Sequence, residues 1–253
     1  MATVRGGWMW PLLLVAGLWA GAQNALAGGG SFVTLPVLIL SGIDARAANI
    51  TSTVALFPGQ VTTGIAGRSL VSGAENLSFR ALLVISLAGG VVGALMLLAT
   101  PPVFFARLLP WLVLAATSLF TWGSFFRKPK TEGATLPAAG AAAVQFLIAI
   151  YGGYFGGGIG FLMLAALTIA GLPVRNAGAT KNVLAAVMNA SAVAIFAFSK
   201  DVHWLSAAIL GVGAIAGGQL GAWMLKWVNE RALRIGVVVL GVALTIGLFL
   251  RTP

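Results

Sequence analysis

Residues 28–54 read GGGSFVTLPVLILSGIDARAANITSTV, and residues 157–183 read GGIGFLMLAALTIAGLPVRNAGATKNV. A shift of 129 residues lays one on the other without a gap, and ten of the 27 positions are identical: Gly28/Gly157, Gly29/Gly158, Phe32/Phe161, Leu35/Leu164, Leu38/Leu167, Gly42/Gly171, Arg46/Arg175, Ala48/Ala177, Thr51/Thr180 and Val54/Val183. Shared apolar composition can place leucine over leucine. It does not place arginine over arginine and threonine over threonine. A weaker echo follows in Gly89-Gly90-Val91-Val92-Gly93 against Gly217-Gly218-Gln219-Leu220-Gly221. The chain is a duplication, and each copy opens on a glycine break.

Around these segments the chain is too apolar to cover itself in water. Of its 253 residues 59% are hydrophobic and 8% charged, where a soluble domain carries about 25% charged residues. Lipid is the solvent that accepts such a surface, and the 34 glycines agree with membrane helices. The net charge of +10 comes with no nucleic-acid motif and no aromatic-interleaved basic patch. Its basic residues fall mostly between apolar runs, as topology signals and headgroup contacts do. The absence of cysteine removes disulfides, thiolate metal sites and cysteine nucleophiles.

A helix needs about 20 apolar residues to cross a bilayer. Full-length candidates are 8–27, 45–67, 80–99, 103–126, 137–155, 174–199, 203–227 and 232–250, and two pieces, 31–41 and 159–170, are short. Each short piece follows a glycine triplet, Gly28-Gly29-Gly30 or Gly156-Gly157-Gly158. The first run mimics a signal peptide, with Arg5 before it and Ala25-Leu26-Ala27 at its end. Its counterpart at 137–155 argues instead for a retained helix. The polar stretch RKPKTEGAT, within 127–136, reads as a cytoplasmic linker between a first membrane repeat, 1–126, and a second, 137–253. The expected fold class is therefore all-α polytopic, with about 8–10 transmembrane segments including short glycine-broken half-helices. Five crossings per half would invert one repeat relative to the other. That layout puts Arg68, Arg80, Arg127, Lys128, Lys130, Arg175, Lys226, Arg231 and Arg234 on the cytoplasmic side, and Arg5, Arg46, Arg107, Lys200 and Arg251 on the other.

The acidic residues Asp44, Glu75, Glu132, Asp201 and Glu230 lie in loops or at segment ends, and none pairs with another at a metal or acid–base spacing. With no cysteine and a single histidine, His203, hydrolytic and metal-dependent catalysis lack their parts. No enzyme activity, cofactor or metal is expected. The interior is neutral-polar and basic instead. Lys181 stands about two turns into an apolar segment, where a charge costs at least about 2.5–3.5 kcal/mol, and no carboxylate is near it in sequence. An anion held intermittently would neutralise it; snorkelling to an interface is the competing reading.

Glycine breaks suit such a ligand, because helix N-termini present free N–H groups and positive dipole. The expected binding set is Gly28, Gly29, Gly30, Ser31, Thr51, Ser52, Thr53, Gly157, Gly158, Gly160, Thr180, Lys181 and Asn182. Against it stand tight helix packing for the glycines and back-bonding to the preceding turn for Thr51 and Ser52. Asn24, Arg46, Asn49, Gln60, Arg175 and Asn189 are secondary candidates. For Arg46 and Arg175 an interfacial anchor is the better reading, and for the amides helix–helix hydrogen bonding is the alternative. The tryptophans, Trp8, Trp10, Trp19, Trp111, Trp122, Trp204, Trp223 and Trp227, mostly flank segments and read as interfacial belts.

Taken together, these motifs resemble the TauE/SafE family of sulfite exporter-like permeases. The resemblance rests on Ala27-Gly28-Gly29-Gly30-Ser31-Phe32 with Leu35-Pro36, and on Gly42-Ile43-Asp44-Ala45-Arg46-Ala47-Ala48 leading to Thr51-Ser52-Thr53. The second half adds Phe155-Gly156-Gly157-Gly158-Ile159-Gly160-Phe161 and Gly171-Leu172-Pro173-Val174-Arg175. It implies a multi-pass permease of the bacterial inner membrane that moves a small sulfur-containing anion such as sulfite, sulfoacetate or another organosulfonate. Lys181-Asn182 departs from the pattern, where a second pair of small hydroxyl residues is expected. A channel or carrier for a different small solute is the alternative. The partners expected are a small anionic substrate and membrane lipid, with a homodimer left open and no nucleic acid.

Overall fold

The computed structural model describes residues 8–26, 28–66, 68–126, 137–224 and 230–251. Among the described residues ten α-helices follow one another: α1 Met9–Leu26, α2 Ser31–Leu40, α3 Ala45–Ala66, α4 Phe79–Ala99, α5 Pro102–Thr121, α6 Ala138–Tyr154, α7 Ile159–Ile169, α8 Val174–Phe196, α9 Trp204–Met224 and α10 Glu230–Arg251. A 3₁₀ turn at Arg68–Leu70 follows α3, and a π turn at Trp122–Phe126 extends α5. All ten expected segments are present, and α2 and α7 are the two short ones. At 10 residues α2 is about 15 Å long, half of a hydrocarbon core about 30 Å thick. The linker at 127–136 and the charges Arg5 and Lys226 lie outside the described residues.

Local chemistry sets these boundaries. Gly42 and Gly171, repeat mates, turn the chain out of α2 and α7 with φ of 87° and 99°, a region that side chains disfavour. Asp44 then caps α3, its Oδ1 accepting from the N–H groups of Arg46 and Ala47 at 3.1 Å each. Ser78 caps α4 through Ala81 N–H at 3.2 Å. Proline opens α5, at Pro102, and precedes α6 and α8, at Pro137 and Pro173, where its missing N–H costs nothing.

The outside of the bundle is apolar, as lipid requires, and a set of polar side chains is buried within an otherwise hydrophobic core. Trp8, Leu14, Val84, Phe104, Leu147, Val212 and Trp223 are exposed, while Gln23, Thr34, Asn49, Thr51, Ser52, Ser86, Gln145, Thr180 and Asn189 are buried. Four helices, at Phe79–Ala99, Pro102–Thr121, Arg175–Phe196 and Trp204–Gly221, are long and apolar enough to cross a membrane by length and composition. The chain is an all-α polytopic membrane protein. Trp19 lies within α1 and donates from Nε1 to Gln23 Oε1 at 3.0 Å.

Helix pairing repeats across the two halves. The largest interface joins α1 to α9, and its counterpart joins α6 to α4; α3 packs on α9 as α8 packs on α4; α3 also meets α8, and α5 meets α10. Glycine makes the first two interfaces close, since small residues let helix backbones touch in lipid. A Cβ on Gly89 would sit 2.5 Å from Ala149 Cβ, and one on Gly221 would sit 2.7 Å from Ala22 O.

This contact gives a paired test within α9. A Cβ on Gly217 would overlap the Leu18 carbonyl, whereas one on Gly218 would meet nothing nearer than 3.9 Å. Gly217→Ala is expected to lose about 1–3 kcal/mol through overpacking, and Gly218→Ala to be close to neutral. Thermal unfolding of the two purified variants in detergent checks the difference.

Candidate functional site

Both glycine breaks border one polar cavity of about 50 Å³. Gly28, Gly29 and Ser31 line it at the N-terminus of α2, and Gly156, Ile159 and Gly160 at the N-terminus of α7. Asn24 of α1, Gln60 and Thr63 of α3, and Lys181, Asn182 and Ala185 of α8 complete the wall. A volume of this size accommodates a few water molecules or one small polyatomic ion. Larger grooves between α5 and α10, about 510 Å³, and between α2 and α10, about 320 Å³, are lined mostly by leucine, isoleucine, valine and other apolar side chains.

Two unusual turns build the breaks. Gly29 and its repeat mate Gly158 adopt φ of 79° and 76°, and Gly28 and Gly156 are also left-handed, at 84° and 77°. Side chains of the preceding helices hold the exposed backbone. Gln23 Nε2 donates to Gly29 O at 3.1 Å, Gly30 N–H donates to Asn24 Oδ1 at 2.7 Å, and Tyr151 Oη donates to Gly157 O at 3.0 Å. With the chain turned in this way, the first turns of α2 and α7 both border the cavity, and helix N-termini carry positive partial charge.

The amides are oriented as donors. Asn24 uses its oxygen on Gly30, which leaves its NH₂ for the cavity. Asn189 Nδ2 donates to Gln60 Oε1 at 2.5 Å, so Gln60 also keeps its NH₂. Asn189 Oδ1 is buried without a partner among the described residues. Lys181 forms neither hydrogen bond nor ion pair among the described residues, where the one ion pair is Arg46–Asp201. Its ammonium lies beside Gly160, close enough that a Cβ there would be 3.6 Å from Nζ. The cavity thus gathers a full positive charge, neutral donors and two positive helix ends, with no described carboxylate on its wall.

Of the residues singled out in the sequence, the structure brings Asn24, Gly28, Gly29, Ser31, Gln60, Gly160, Lys181 and Asn182 to this wall. Other members of the set are engaged elsewhere. Ser52 Oγ lies 2.5 Å from Thr34 Oγ1, and Thr53 bonds back to Asn49 O at 3.0 Å. Thr51 and Thr180 hold loops of the opposite half. Thr51 Oγ1 donates to Asp201 O at 3.4 Å and accepts from His203 N–H at 3.1 Å. Thr180 Oγ1 donates to Ser72 O at 3.0 Å and accepts from Ser72 N–H at 3.1 Å. Because the start of α3 meets the end of α8, and Asn176 near the start of α8 meets Leu70 beyond α3 at 3.0 Å, α3 and α8 run antiparallel.

Arg46 ties the same end together, reaching Asp201 Oδ2 at 2.7 Å and the carbonyls of Leu98 and Thr100 at 3.2 and 2.8 Å. Arg175, its repeat mate, is exposed. Asn49 donates to Tyr154 O at 3.1 Å. Gly30 is sealed under the Ala20 carbonyl, Gly157 packs on the Phe155 ring and Gly158 on Ala116. Sequence reasoning missed Gln23 and Tyr151, which hold the breaks. Their placement one turn before each glycine run is the only signal for them.

Short helices whose N-termini meet at one polar cavity are a feature of secondary transporters, and the family and relatives of this chain are those of polytopic membrane transporters. The chain is a member of the sulfite exporter TauE/SafE family, whose model matches residues 13–248. A probable membrane transporter protein, ORF9, of a Sinorhizobium species is 30% identical over 239 residues, covering 93% of this chain and 90% of that one. A probable membrane transporter protein of Haemophilus influenzae is 27% identical, covering 92% of each chain. The probable membrane transporter protein YfcA of Escherichia coli K12 is 23% identical, covering 92% of this chain and 87% of its own. No solved structure matches the chain significantly.

The Asn24 contact can be tested directly. Asn24→Ala leaves Gly30 N–H unpaired and is expected to cost about 1–3 kcal/mol. Asn24→Asp retains an acceptor for that N–H and is expected to recover most of the loss. Melting temperatures in detergent decide it, since an Asn24→Ala variant as stable as the unaltered protein would show that Asn24 does not hold the break.

Proposed function

We propose that the protein carries a small sulfur-containing anion, such as sulfite, sulfoacetate or another organosulfonate, across the bacterial inner membrane by alternating access. The observation that carries this reading is the unpaired Lys181 ammonium in a cavity walled by donors. A cation inside a membrane bundle without a counter-ion is destabilising, and a bound oxyanion relieves it while accepting from Asn24, Gln60, Ser31 and Asn182. The family description, sulfite exporter, supports the sulfur-anion class, and the cavity volume suits a compact oxyanion.

Two inverted repeats, 1–126 and 137–253, joined by a cytoplasmic linker, provide the alternation. The antiparallel run of α3 and α8, which are repeat mates, and the exchange of equivalent helix pairings support that arrangement. Substrate contacts come from Gly28, Gly29, Ser31, Gly160, Lys181 and Asn182 with Asn24 and Gln60. Thr51 and Thr180 serve as opposite clamps, each holding a loop of the other repeat and each released when its end opens. Arg68, Arg80 and Arg175 mark the cytoplasmic end, and Arg46, Arg107 and Lys200 the other.

Lys181→Met tests the reading. In proteoliposomes the variant is expected to lose at least about 90% of sulfite uptake, since a hydrogen bond between charged partners is worth a factor of about ten or more, while its melting temperature stays level or rises. Uptake equal to that of the unaltered protein would exclude Lys181 as the anion's partner.

A further inference from the structure

The lone ammonium also constrains how such a carrier cycles. Between its two open states an alternating-access carrier passes through one in which the site is closed to water on both sides. The polar side chains around Lys181, from Asn24, Ser31, Gln60, Thr63 and Asn182, are all neutral. The Arg46–Asp201 pair lies beyond the far end of α8 and supplies no carboxylate here. The first turns of α2 and α7 add positive potential of their own. An occluded site without substrate would therefore either hold a desolvated, uncompensated cation or force Lys181 to give up its proton, and both are costly. With an anion bound, the same site closes over a charge pair.

We propose that the unliganded carrier scarcely reorients, so that transport is anion exchange, one small anion entering for each that leaves. This rests on anion binding at Lys181 as set out above and adds a counter-substrate to it. The counter-substrate is defined by the same wall, as a second compact oxyanion able to accept from the Lys181 ammonium and the amides of Asn24, Gln60 and Asn182. A carrier with a buried carboxylate could instead return empty by pairing its own charges. This cavity has none among the described residues.

The full chain, purified and reconstituted into vesicles with the membrane potential clamped by potassium and valinomycin, provides the test. Uptake of radiolabelled sulfite is compared between vesicles loaded with unlabelled sulfite and vesicles loaded with potassium gluconate. Uptake at least tenfold faster into the sulfite-loaded vesicles is expected. Equal, saturable rates in the two would overturn exchange and leave anion transport standing. No uptake into either would overturn exchange, and the absence of any sulfite-dependent thermal shift in the purified protein would remove the anion site with it. Lys181→Gln, assayed at saturating sulfite, separates the cause. Its remaining flux is expected to show a ratio near one, and a ratio still above tenfold would show that the ammonium is not what prevents empty return.

Discussion

In hydrocarbon there is no water to take up a stray backbone group, so a helix that stops inside a membrane protein must be answered by the protein itself. The rest of the site depends on that constraint. Two interruptions, after α1 and after α6, are made with left-handed glycines, and Gln23, Asn24 and Tyr151 supply the missing partners. With those bonds in place, α2 and α7 can begin inside the bundle and point their amide ends at one spot. Without them the breaks would leave buried polar groups unpaired, each costing about 1–3 kcal/mol, and a continuous helix would be favoured.

Duplication supplies the frame around those breaks. Gln60 and Asn189 are hydrogen-bonded to each other and are 129 residues apart, the same offset that aligns the two copies. The repeat therefore meets itself at this pair, between antiparallel α3 and α8. Thr51 and Thr180, also mates, perform matching tasks at opposite ends. Charge breaks the match. Lys181 occupies the place of Ser52, which is tied to Thr34. The two halves share one scaffold, but only the second provides the cation.

Much of the fold was legible because lipid simplifies the code. Apolar runs, glycine triplets and prolines marked all ten helices, including both short ones, to within a few residues. In the site, Lys181 and the glycine breaks were legible for the same reason, since a charge or a helix-breaker in an apolar run stands out. The hydroxyl cluster Thr51-Ser52-Thr53 is a different case. A hydroxyl can bond to a ligand, to its own helix or to a distant loop, and the three residues divide between Ser52–Thr34, Thr53–Asn49 and a clamp on the loop at Asp201–His203. Trp19 also orients Gln23, a contact between neighbours that composition does not reveal.

By itself the sequence determined a duplicated, helical, lipid-embedded chain with a cation inside an apolar segment, because burial energetics and helix breaking act locally along the chain. Only the tertiary structure decided that Asn24 and Gln60 spend their oxygens elsewhere and keep their NH₂ groups free at the cavity Lys181 lines, while Arg46 pairs with Asp201. Those orientations depend on hydrogen bonds between residues as far as 155 positions apart, and no local pattern encodes which partner a side chain will meet.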